Sequence, residues 1–99
     1  MIKKSVYKIP EGKLVKISLD FENNVINSVK ITGDFFLHPE NGLELIESSL
    51  KGIELEKEKI IESIDVVVKQ NSLELFGLTS EGIAEAILMA KESKNELEN

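Results

Sequence analysis

The sequence contains no cysteine. That excludes disulfides, thiol nucleophiles, iron–sulfur ligation and cysteine-based zinc sites. One histidine, His38, is too few for a histidine-built metal site. Aromatic residues are scarce, with four Phe and one Tyr, so aliphatic side chains must fill the core. No apolar run reaches the roughly 18 residues that span a bilayer. The opening Met1-Ile2-Lys3-Lys4-Ser5 is basic but lacks the apolar stretch of a signal peptide. A cytoplasmic location is therefore the expectation. Gly12, Gly33, Gly42, Gly52, Gly77 and Gly82 are scattered singly, so no glycine-rich phosphate loop is present. Nor is there a nucleophile elbow or a His-Glu metal helix. Basic residues are the minority, 12 against 18 acids, for a net charge of −6. A nucleic-acid binder needs the opposite balance, and an anionic membrane surface is disfavoured for the same reason. The mild acidity reads as a solubility feature.

What is there is one domain of 99 residues. A chain of this size buries roughly 60–65% of its unfolded surface, enough for a single core. Ser5 to Ile9 is a short strand. Pro10-Glu11-Gly12 suits a type I turn, with proline presetting the second position. Lys13 to Glu22 alternates: Val15, Ile17, Leu19 and Phe21 share one face, and Lys16, Ser18, Asp20 and Glu22 the other. That is a strand with one wet side. Glu22-Asn23-Asn24 predicts a hairpin, because Asn tolerates positive φ. Val25 to Thr32 is the return strand, with Val25, Val29 and Ile31 on one face and Ile26 breaking the pattern.

Helices follow. Pro39 fits the first helical position, where a missing N–H costs nothing. Leu43, Ile46 and Leu50 then recur at helical spacing, with Gly52 as the stop. A second helix is expected from Glu56 to about Lys69, with Ile60, Ile61, Ile64, Val67 and Val68 as its apolar stripe. The β-branched run Val66-Val67-Val68 leaves its end open. Leu73, Leu75, Phe76 and Leu78 form an apolar linker around Gly77. Thr79 or Ser80 caps a third helix running to about Lys94. The fold class is α+β: a three-stranded antiparallel meander (1–34), then about three helices packed on one face (35–94), then a frayed polar tail (95–99).

The stretch Gly33-Asp34-Phe35-Phe36-Leu37-His38-Pro39-Glu40 stands out. Gly33 ends a strand and permits a bulge or a close backbone approach. Neighbouring side chains on a strand point to opposite faces, so Phe35 and Phe36 do not easily share one core. Either both tuck under a curled corner, or one is exposed as an interface anchor. Asp34 and His38 could pair as acid and base. The competing account has Asp34 bonding nearby backbone N–H groups and His38 capping the helix, and it leaves the chain without catalytic residues. The acidic run Glu44, Glu47, Glu54, Glu56 and Glu58 reads as a solvated helix face.

Lys13-Leu14-Val15-Lys16, the hairpin, and Ile31 through Glu40 together resemble the accessory domain of lipoate–protein ligase. So does Phe76-Gly77-Leu78-Thr79-Ser80-Glu81-Gly82-Ile83-Ala84-Glu85-Ala86-Ile87. The resemblance covers nearly the whole chain, and the Gly-Asp-Phe-Phe corner is its most specific part. Starting at Met1 with no catalytic domain, the chain is similar to the stand-alone small subunit of a bipartite ligase.

The resemblance implies a non-catalytic role beside a large catalytic subunit. That subunit would bind ATP, Mg and lipoate, make lipoyl-adenylate, and lipoylate lysines of acceptor proteins. No cofactor would be bound by this chain alone, and there would be no metal site. Asp34, Phe35, Phe36 and His38 would face the partner, with Gly33 and Pro39 shaping the backbone. The layout is also similar to the iron–sulfur scaffold and sulfur-acceptor fold, whose cysteines are missing here. Two alternatives remain: an interaction module with an unrelated partner, and a small enzyme using Asp34 and His38.

Overall fold

The alternating stretch that ends at Glu22 forms the middle strand of a sheet. In a computed structural model, which describes residues 1–94, three antiparallel strands come first. They are β1 (Ile2–Lys8), β2 (Leu14–Glu22) and β3 (Val25–Gly33), in that spatial order. Residues 95–99, expected to be a frayed tail, lie outside the described residues. Val15, Ile17 and Leu19 of β2 and Ile26, Val29 and Ile31 of β3 are buried on the inner face. Lys16, Lys30 and Thr32 are exposed on the outer one.

The irregularity at Ile26 is a β-bulge. Asp20 pairs with Ser28, but Phe21 pairs with Ile26, so Asn27 is the extra residue. An inserted residue reverses the facing of everything beyond it. Ile26 therefore points inward along with Val29 and Ile31, and Val25, expected on their face, is only half-buried. The hairpin forms as expected, with Asn23 at φ 53° and Asn24 at φ 63°. The turn between β1 and β2 differs from the type I reading. Gly12 N–H donates to Ile9 O at 2.8 Å, and Glu11 sits at φ 61°. Positive φ at the third position is the mark of type II.

Two short strands and three helices follow: β4 (Phe36–His38), α1 (Gly42–Ser49), α2 (Lys57–Gln70), β5 (Glu74–Phe76) and α3 (Ser80–Glu92). α3 packs on β1 and β2, α1 packs on β3, and α2 lies across α1 and α3. Ala84, Ala86 and Ala90 on α3 are fully buried. Their small size lets the helix approach the sheet, and the Ser5 hydroxyl donates to Ala86 O at 2.7 Å. At the helix start, a Cβ on Gly82 would come within 2.6 Å of the Ile9 side chain. The helix at Pro39 begins later than expected, at Gly42. Pro39 follows a cis peptide bond and accepts from Gly42 N–H at 2.9 Å, which makes it part of a turn before the helix.

Thr79 caps α3: its hydroxyl accepts from Gly82 N–H at 2.9 Å. Thr79→Ala is expected to cost about 1 kcal/mol, or roughly 4–8 °C of melting temperature for a domain this small. Thermal unfolding followed by circular dichroism measures it. An unchanged midpoint would mean that packing alone holds this helix end.

Candidate functional site

The corner begins where β3 ends at Gly33, opposite Val15 near the start of β2. Gly33 has φ 154°, and a Cβ there would lie 2.2 Å from Leu14 O. Asp34 N–H donates to the same carbonyl at 3.2 Å. The backbone thus folds tightly over Leu14, which only glycine allows. The turn sends Phe35 inward, half-buried against the core. From Phe36 the chain is extended again, and strand alternation decides the rest. Leu37 is buried, while Phe36 and His38 point outward.

β4 pairs antiparallel with β5, in the register Phe36 to Phe76, Leu37 to Leu75 and His38 to Glu74. The two outward phenylalanines are therefore cross-strand neighbours. Their ring centroids lie 5.7 Å apart with the planes tilted by 34°. This spacing is within the favourable range for aromatic pairs. Yet Phe36 is 59% exposed and Phe76 50%. The far end of β5 is tied down as well. Lys13 N–H donates to Gly77 O at 2.8 Å, and Gly77 has φ 81°. The aromatic pair is thus held between two glycine-dependent contacts to the ends of β2 and its turn.

The sequence-predicted residues are only partly brought together. Phe36 and His38 share the outward face of β4, with Asp34 exposed just before it. Phe35, expected to face a partner, is turned toward the core. Asp34 and His38 form no pair with one another, and the Asn41 N-cap of α1 receives no side-chain bond from either. Phe76 sits at this corner as the cross-strand partner of Phe36, whereas the sequence pattern places it in an apolar linker. Its signal was the alternation Leu73-Glu74-Leu75-Phe76, too short to be distinguished from an apolar connector.

The acidic run divides. The Glu47 carboxylate accepts from Ile31 N–H at 2.8 Å and locks α1 to β3. Glu54 and Glu56 surround Lys59; a hydrogen bond from Lys59 to Glu54 and the charges of both acids hold that ammonium above its ordinary pKa. Because the group is solvated, this pairing contributes little to stability. Glu44 and Glu58 remain exposed. A groove of about 540 Å³ opens beside α2, lined by Ile53, Glu54, Lys59, Ser63 and Val66 among others. None of the corner residues lines it. Among the described residues, no three acidic or imidazole side chains gather as metal ligands. No helix among them is long and apolar enough to cross a membrane.

A meander backed by helices, with an aromatic pair left in solvent at one corner, defines a small α+β domain. The chain belongs to the family described as the bacterial lipoate protein ligase C-terminus, which it matches over residues 6–87. It is 37% identical over 51 residues to lipoate-protein ligase A subunit 2 of Thermoplasma acidophilum. That match covers 52% of this chain and 53% of the relative, so the chain spans about half the length of the curated relative it matches. A chain of a solved archaeal lipoylation system, comprising a bi-partite lipoate protein ligase and its E2 lipoyl domain from Thermoplasma acidophilum, has a similar fold. The TM-score is 0.75 at 29% identity, covering 88% of this chain and 94% of that one.

Proposed function

We propose that this chain is the non-catalytic accessory subunit of a bipartite lipoate–protein ligase. The observation that carries this reading is the family match over residues 6–87. The donor set here does not fit ATP or Mg: the glycines are dispersed and the acids are spread along helix faces. The proposal therefore assigns ATP, Mg and lipoate to a larger catalytic subunit, along with formation of lipoyl-adenylate and transfer to an acceptor lysine. This chain contributes a docking corner. Phe36 and Phe76 anchor it, Asp34 and His38 rim it, and Gly33 and Pro39 fix its backbone. An exposed aromatic pair with a polar border is the usual form of such an anchor.

Mixing tests the reading. The larger subunit, given ATP and lipoate, is expected to form lipoyl-adenylate slowly alone. Adding this chain should raise the rate on the order of a hundredfold, the scale set by misplacing reacting groups by about 1 Å. Full adenylation without this chain would sink the proposal.

A further inference from the structure

The outer face of the three-stranded sheet has no helix packed on it, because α1 and α3 both cover the inner side. Its middle carries Lys4, Lys16 and Lys30. The register places Lys4 opposite Ser18 and Ser18 opposite Lys30, with Val6, Lys16 and Thr32 in the next row. Lys16 is therefore the diagonal neighbour of both other lysines, at roughly 7–8 Å. Among the described residues none of the three has an ion-pair partner. The nearest acid on this face, Asp20, is already paired with the Met1 amino group at 3.5 Å. Gathering like charges on neighbouring strands costs stability. Here it happens in a chain where acids outnumber bases 18 to 12.

We infer that this face docks the acidic surface of a partner protein. Charge complementarity selects the occupant, and the remaining features narrow it. The depression between the lysines holds about 200 Å³. Small-molecule pockets run from about 300 Å³ upward, so this one suits a carboxylate side chain rather than a nucleotide. A built phosphate site would use arginine forks or free backbone N–H groups. All twelve cations of this chain are lysines, and the strand amides here are spent on the sheet ladder. Among the described residues, Val6 and Ile2 are the only exposed large hydrophobics on the face, too little to enter a bilayer. A wet, lysine-rich surface without an aromatic anchor favours fast, salt-sensitive association over a permanent complex. It is thus physically unlike the aromatic corner, and it would serve a partner that comes and goes.

The test uses the whole chain and poly-L-glutamate as the acidic probe, followed by amide chemical shifts. Shifts are expected at Lys4, Lys16, Ser18, Lys30 and Thr32, and they should vanish near 1 M salt, where the Debye length is about 3 Å. The variant Lys4→Glu/Lys16→Glu/Lys30→Glu should bind at least about tenfold more weakly, as expected for three surface ion pairs. The variant Lys51→Glu/Lys69→Glu/Lys94→Glu changes net charge equally and should keep its affinity. Equal loss in both variants would reduce the effect to net charge and overturn the inference. Tighter binding of inorganic phosphate, or of phosphatidylserine vesicles, at the same residues would also overturn it.

Discussion

Phe36→Asp is expected to weaken association with the larger subunit by about thirtyfold or more, while the isolated domain stays folded. The size follows from exposure. A phenylalanine offers roughly 150–250 Å², and 59% of Phe36 is still in water. Covering that remainder at about 25 cal/mol per Å² gives roughly 2–4 kcal/mol. That is the range of an interface hot spot, and each 1.4 kcal/mol is about tenfold in affinity. In the isolated domain the same change removes chiefly the ring pair with Phe76, about 1 kcal/mol, or roughly 4–8 °C. Titration calorimetry of the purified subunits measures the first quantity and thermal unfolding the second. Because the two rings act together, Phe36→Ala and Phe76→Ala should not be additive in a double-mutant cycle. Affinity within a few-fold of the parent for Phe36→Asp would move the docking surface elsewhere, even if the subunit assignment stood.

The meander was legible because β2 alternates without interruption and one of its faces is dry. The sequence pattern shows only part of β1 because polar side chains occupy its inward side. Its inward side carries Lys3, Ser5 and Tyr7, and its outward side Ile2 and Val6. Polar groups can face inward there because the α3 carbonyls receive them: Ser5 reaches Ala86 O, and the Lys3 ammonium lies 3.4 Å from Lys91 O. Periodicity has no access to such contacts. The irregularity at Ile26 was visible, but its meaning depended on which residue Phe21 would face.

The corner was legible in part. Two adjacent phenylalanines after a glycine imply that one points outward, and the backbone decides that it is Phe36. The pairing of β4 with β5 was beyond reach, since each strand is three residues long. That is less than two full periods, and the strands meet across the whole helical hairpin of α1 and α2. The same pairing displaced the start of α1. With Leu37 and His38 committed to β5, Pro39 had to turn the chain first. The outward position of His38 thus owes itself to a partner strand that local patterns did not reveal.

Gly33→Ala is expected to destabilise the domain by about 3 kcal/mol, which combines backbone strain with overpacking. For a chain whose total stability is on the order of 5–15 kcal/mol, the melting temperature should fall by roughly 12–24 °C. Two terms contribute, and the chain supplies a control for one of them. Gly52 also has positive φ, 83°, but a Cβ there meets nothing within 4 Å. Gly52→Ala should therefore cost only the conformational term, about 1 kcal/mol. The excess at Gly33 is steric: the new methyl would sit 2.2 Å from Leu14 O and 3.0 Å from the Phe35 ring. The Leu14 carbonyl, at the first residue of β2, cannot yield without opening the β2–β3 pairing at its end. That pairing aims β4, so the surviving folded molecules should also dock poorly on the larger subunit, although no docking residue has changed. Thermal unfolding and titration of both variants read the two effects together. If Gly33→Ala and Gly52→Ala melt alike, the tight fold over Leu14 is not what holds the aromatic pair in place.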